Sequence, residues 1–222
     1  MKPQIYNGYF KILGKGHKSC NGGDSLWRPG IWQPKVSVDP CYSGYHLCRA
    51  QDLIYWLNDE IWEAEGRGEP TICNDKVVFP EARITRRVKT WDETTARLLA
   101  CWCARKCWSN LTDERSKNAI RVAERFAKGK ATMAELSAAW SAAWSAAESA
   151  AESAARSAAW SAAAAAESPA RSAAWSAARS AARSAAAAAA AAESAARSAA
   201  WSAAESAQTK KLLKMLKIEV KP

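Results

Sequence analysis

Residues 137–207 consist almost wholly of Ser-Ala-Ala-X tetrads, from Ser137-Ala138-Ala139-Trp140 to Ser202-Ala203-Ala204-Glu205, with Trp, Glu, Arg or Ala in the fourth place. Alanine is the strongest helix former, and the tract contains no glycine, so this composition commits about a third of the chain to helix. It also removes most side chains that could perform chemistry there. A period of four exceeds the 3.6 residues of a helical turn, so each tetrad rotates its fourth position by about 40°. Trp140 and Trp144 therefore share a face, while Trp160 has drifted about 200° from Trp140. The breaker within the tract is Pro169, after Glu167-Ser168. A turn there gives two helices of roughly 35 and 45 residues, about 50 and 65 Å long. The resulting expectation is a long Ala/Trp-rich helical hairpin or bundle; several shorter helices turning at Ala-rich joints rank second. Glu152 with Arg156 and Glu193 with Arg197 have the favourable i,i+4 order.

The rest of the chain reads differently. Residues 1–89 are expected to form a small α+β module. Ile5–Leu13 alternates aromatic and polar residues as a strand does and ends at Gly14-Lys15-Gly16. His17 to Pro40 is a long ordered loop rich in Gly, Pro, Ser and Trp. A short segment, Tyr45-His46-Leu47-Cys48, precedes a helix carrying Leu53, Ile54, Trp56 and Leu57. Ile61–Gly66, Lys76–Phe79 and Ala82–Val88 are further strand candidates. Residues 90–130 read as a helical pair. Thr90 is the expected N-cap of the first helix, with Glu93 closing a capping box, and Ala96, Leu98, Leu99 and Trp102 as its apolar face. The second helix, Glu114–Lys128, turns Ala119, Val122, Ala123 and Phe126 inward and stops at Gly129. Thr132-Met133-Ala134-Glu135 is a second box, opening the segment 131–218. The fold class expected is thus an α+β N-terminal module plus an all-α C-terminal region.

Charge bears on partners once it is divided. The net +10 splits into 13 basic and 10 acidic groups in residues 1–90, 9 and 6 in 91–136, 5 and 5 in the tetrads, and 5 and 1 from 208 onward. The long helical tract is neutral, and only the short tail with Lys210, Lys211, Lys214 and Lys217 is strongly basic. A dedicated nucleic-acid groove reader is not indicated, since such a protein gathers its excess on one stripe. No apolar run approaches the ~20 residues of a membrane span. Met1-Lys2-Pro3-Gln4 does not begin a signal-peptide core, so the expectation is a cytoplasmic protein with reduced thiols at its 7 cysteines.

Two stretches resemble known families. Ile5-Tyr6-Asn7-Gly8-Tyr9, Ser43-Gly44-Tyr45-His46-Leu47-Cys48 and Trp62-Glu63-Ala64-Glu65 look like a small domain of unknown function from bacterial and phage proteins, often found before repeat arrays. Trp91-Asp92-Glu93-Thr94-Thr95-Ala96-Arg97-Leu98, Ala100-Cys101-Trp102-Cys103-Ala104 and Ala119-Ile120-Arg121-Val122-Ala123 resemble a family of immunity proteins with Ala-rich helices. That second resemblance implies a protein partner, a toxin or a component of a defence system.

Candidate chemistry is sparse. Cys101, Cys103 and Cys107 lack the paired spacing and nearby histidine of a structural zinc site, so no metal is expected and the three read as core thiols. His46, beside Tyr45 and Cys48, is a candidate general base or half of a Cys-His pair. Tyr6, Tyr45, His46 and Glu65 are faintly similar in order to the site of ADP-ribosyltransferase-like folds, without the R-S-E or H-Y-E signature. Gly14-Lys15-Gly16-His17-Lys18-Ser19 and Asn21-Gly22-Gly23-Asp24 lack the spacing of a phosphate loop and read as turns.

The leading expectation is a non-enzymatic macromolecule-binding protein, an immunity or phage anti-defence inhibitor acting by occlusion and using no cofactor. Trp140, Trp144, Trp160, Trp175, Trp201, Lys210, Lys211 and Lys214 are its candidate binding residues. The alternative is an NAD- or nucleotide-using enzyme, or a ligand-binding module, in residues 1–89. A second alternative is ice binding by the Ala-rich helix, against which the drifting serines and bulky Trp and Arg argue.

Overall fold

The computed structural model describes residues 3–20, 23, 25–40, 42–111, 113–149 and 194–219. Among these the chain is mixed α/β, with two small antiparallel sheets and five α-helices. It divides into two units, residues 1–91 with 213–222, and residues 92–212.

In the first unit, β1 (Ile5–Leu13) pairs with β3 (Glu60–Arg67), which pairs with β6 (Glu81–Arg87). A second sheet runs β2 (Tyr45–Leu47), β5 (Val77–Phe79), β4 (Thr71–Ile72). The sheets meet through Phe10 and Cys48, whose backbones exchange hydrogen bonds of 2.8 and 2.7 Å. From Trp62 onward strand alternation sorts β3: Trp62 and Ala64 enter the core, and Glu63, Glu65 and Arg67 face out. The outward carboxylates pair across to β6, Arg83 Nε donating to Glu65 at 2.7 Å and Arg86 Nε to Glu63 at 3.0 Å. Arg67 pairs with Glu81 in the same row, and Trp32 lies against both Arg67 and Arg83, 4.5 and 4.7 Å from its ring centre.

The core joins Leu13, Trp27, Leu47, Trp62, Phe79 and Ile84. Gly66 is required there, since a Cβ would fall 2.4 Å from the Phe79 ring. The expected long loop runs beside β6, with Gly30, Gln33 and Val36 donating backbone hydrogen bonds to Ile84, Ala82 and Pro80. After Cys48 the expected helix shrinks to a 3-10 turn, Ala50–Asp52, and one α-turn, α1 (Leu53–Trp56).

In the second unit, α2 (Glu93–Arg105) buries Ala96, Leu99, Ala100 and Cys103, and leaves Leu98 and Trp102 half-buried. Its N-cap is Asp92, whose side chain accepts from Thr95 N at 2.7 Å, and not the expected Thr90. The Thr90 hydroxyl is engaged elsewhere, donating to the Leu216 carbonyl at 2.9 Å. The next helix, α3 (Glu114–Ala127), is capped by Asp113 and followed by Gly129 at φ 67°. The box at its successor, α4 (Met133–Ser149), forms as expected: Thr132 N donates to Glu135 at 2.7 Å, and Glu135 N to the Thr132 hydroxyl at 3.2 Å.

The expected all-α C-terminal region with a long hairpin is corrected. Among the described residues, the tetrads supply α4, of 17 residues, and part of α5 (Ser194–Leu216), of 23. The buried stripe of α4 is Leu136, Ala139, Ala143 and Ala146, spaced three and four apart, and α4 packs on α3. A strict four-residue period cannot hold its large side chains on one seam, so within the tetrads, after Leu136, the stripe is made by alanines. The end of α5, from Leu213, belongs to the first unit and not to a separate helical region. Pro169, Trp160, Trp175 and the Glu152–Arg156 pair lie outside the described residues. The side chains of Glu193 and Arg197 do as well.

Candidate functional site

Lys11 is an unusual choice for its position. In β1 it occupies the same side as Tyr9 and Leu13, which pack in the core, so alternation carries a lysine inward. Its Nζ donates to the His46 carbonyl at 3.1 Å and stands 5.0 Å from the centre of the Trp27 ring. Trp27 is held by its own indole N–H, which donates to Ser19 Oγ at 3.0 Å, and meets Tyr45 edge to face at 5.6 Å.

These residues line a cavity of about 340 Å³ together with Cys20, Cys48, Trp56 and Lys76. That size is at the small end of ligand pockets. Trp56 is fixed by donating to the Asp75 carbonyl at 2.9 Å, and Lys76 Nζ lies 5.2 Å from its ring centre. The turn bearing Lys76 closes through Cys73 N to the Lys76 carbonyl at 2.9 Å and is fastened by Arg49, donating to Asn74 O at 2.6 Å. Gly44, at φ 110°, keeps the rim narrow, since a Cβ there would meet Val78 at 2.5 Å. Tyr42 stands 90% exposed at the edge of the cavity.

The electrostatics follow from burial. Desolvation lowers the Lys11 ammonium below its ordinary value, with the Cys48 and Cys20 thiols pulling it back. His46 is lowered by desolvation, then by Lys11 and Lys76, against Asp75. Its Nε2 is buried with no hydrogen-bond partner among the described residues. Burial pushes the Cys48 thiol up to about 12. A thiol held protonated is a poor nucleophile, so a Cys48–His46 catalytic pair is disfavoured.

The candidate residues from sequence separate. Tyr45 and His46 line the cavity, the Tyr45 hydroxyl donating to Pro34 O at 2.7 Å. Tyr6 instead packs on Phe79 at 5.5 Å, and Glu65 faces outward to Arg83. Trp140 and Trp144 stack at 6.0 Å on α4, and Trp201 donates to Glu205 at 2.6 Å. Lys210 and Lys214 are exposed on α5, while Lys211 Nζ is 6.0 Å from the Trp102 ring centre. The Gly14–Gly16 turn binds its own carboxylates, Lys15 N donating to Asp59 and Gly16 N to Glu60. Cys101, Cys103 and Cys107 are all buried, and burial raises the Cys101 thiol to about 12 and Cys103 further.

Lys11, Trp27, Trp56 and Lys76 escape a sequence reading that looks for acid–base residues. The available signal was Lys11, a charge between Tyr9 and Leu13 on the inward register of an alternating strand. Trp102 and Trp108 escape it too. Trp108 is flanked by the guanidinium groups of Arg105 and Arg121 at 4.7 and 5.2 Å, and Trp102 by Lys106 at 4.8 Å.

No family model, curated protein or solved structure matches the chain. The two family resemblances rest on their motifs alone. No helix among the described residues is long and apolar enough to cross a membrane.

Proposed function

We propose that this chain is a non-enzymatic binding protein whose first unit holds a small aromatic anion in the Lys11–Lys76 cavity. One observation carries this reading: the described lining offers two lysines, a histidine and indole faces, and no carboxylate. Cations at the walls favour a negative group, and the half-buried Trp56 supplies flat apolar surface for a ring. The enzyme alternative needs a glutamate in the cavity, and Glu65 is committed to Arg83 on the outer face. The test is calorimetric titration of the whole chain with phenyl phosphate, benzoate and adenosine monophosphate against phenol, benzamide and adenosine. Binding of the anions at a Kd of roughly 100 µM, about −5.5 kcal/mol, is expected, with the neutral compounds at least tenfold weaker. Equal binding of both sets, or of neither, refutes the reading.

The second unit would engage a macromolecule, a toxin or defence component in the cytoplasm, by occlusion. What supports this is Trp108 set among Arg105, Lys117 and Arg121, a ring-and-guanidinium grouping of the kind enriched at interface centres. A host protein captured by the wild type and lost with Trp108→Ala is the expected result. Undiminished capture by that variant counts against it.

A further inference from the structure

The cavity contains an amine in a setting that does more than attract charge. Lys11 Nζ is anchored by one hydrogen bond, to the His46 carbonyl, and lies over the Trp27 ring inside the cavity wall. Besides burial, the groups acting on it are the Cys48 and Cys20 thiols, which pull it back toward its ordinary value, and no carboxylate among the described residues does so. The groups facing it are His46 and Tyr45 from β2, Cys48 beyond that strand, Cys20 from the loop and Lys76 before β5. None of these side chains is a carboxylate, and what favours the ammonium is the His46 carbonyl, the Trp27 ring and the two thiols, against burial as the larger effect. Lysines desolvated in this way are the ones that act as nucleophiles. The neighbouring Cys48 thiol is held protonated by its burial and does not compete.

We propose that Lys11 is the capture group of this pocket, forming a reversible imine with an aromatic aldehyde or ketone that carries an anionic group. The lone pair of the neutral amine adds to the carbonyl carbon, and one N–H proton passes to the oxygen. The hydroxyl then leaves as water with the second N–H proton, and the C=N bond forms. No electron is gained or lost, and hydrolysis returns amine and carbonyl. Lys76 at the Trp56 ring is placed to take the anionic group while Trp27 lies beside the new C=N bond. This inference rests on the pocket reading above and adds to it the class of ligand.

The probe is pyridoxal 5′-phosphate, an aromatic aldehyde with a phosphate, given to the whole chain at neutral pH below one equivalent. Cyanoborohydride then fixes any imine as a secondary amine, and peptide mass mapping locates it among the 16 lysines. The expected result is Lys11 labelled at least about tenfold above the median lysine, with excess phenyl phosphate suppressing that label. Lys11→Arg cannot form the imine, so it should lose the label while its circular dichroism matches that of the wild type. Label spread over the exposed lysines, with Lys11 no higher than the rest, overturns the imine. If phenyl phosphate binds under those conditions, the pocket reading survives that failure; if it does not, both fall together.

Discussion

The two units solve the packing problem with opposite materials. The first fills its centre with Trp27, Trp62, Phe79, Leu13 and Ile84, each in one shape-specific place. The second lines helix against helix with Ala96, Ala100, Ala119, Ala123, Ala139 and Ala143, anchored by a few larger residues such as Leu99 and Ile120. Large, varied side chains leave irregular space, and a cavity with distinct chemical walls is one form that space takes. Alanine stripes leave little. A pocket with chemical character therefore belongs where the sequence is least repetitive.

The contrast breaks first at the large rings. Trp27→Ala removes a fully buried indole and should cost about 3–5 kcal/mol, read as a lowered urea midpoint of the first unit's transition. A loss under about 1 kcal/mol would mean that the aromatic core is not what holds that unit. In the second unit Trp144 is only half-buried, so Trp144→Ala should cost about 1–2 kcal/mol, less than its counterpart. An equal cost would erase the distinction.

Smaller still is the effect of Lys11, and its sign can be fixed. Because burial lowers its folded-state pKa, protonated Lys11 is a penalty at every pH below that value, relieved as pH rises toward its ordinary 10.5. Lys11→Met should therefore be about 1 kcal/mol more stable than wild type at pH 7, with the gap closing toward pH 10.5. Cys48 acts in the opposite sense. Its folded value of about 12 against 9.0 contributes stability that is full below pH 9.0 and lost above it. Lys11 itself lowers Cys48, so the difference between the urea midpoints isolates Lys11 below pH 9.0, where the Cys48 contribution is full in both proteins. A gap independent of pH would remove the titration from the account. The smallest effect is expected at Ser145, whose hydroxyl donates back to the Ser141 carbonyl at 3.2 Å. Ser145→Ala should stay within about 0.5 kcal/mol, alanine's better helix propensity offsetting the lost bond.

Legibility in the sequence followed the same division. Ile5–Leu13 is the strand its alternation implies, and Thr132 and Glu135 form the box their spacing implies, because both signals are local. The N-cap at residue 90 misled because Thr90 and Asp92 both suit the role, and a bond to Leu216, 126 residues away, decides between them. The hairpin expectation misled for a different reason. Alanine content argues for helix but carries no information about which helix lies against which. The cavity draws on β1, the 17–40 loop, β2, α1 and the turn before β5, so no window of sequence contains it. Only the lysine between Tyr9 and Leu13 could have pointed there.

The hydrogen bond from Thr90 to Leu216 ties together two points between which every tetrad lies. The entropy of closing such a loop grows only with the logarithm of its length, each doubling adding about 0.6 kcal/mol. Gaining or losing one four-residue unit changes that length by a few per cent, a negligible closure penalty. Loop closure therefore sets little limit on how many tetrads the chain can carry between Thr90 and Leu216.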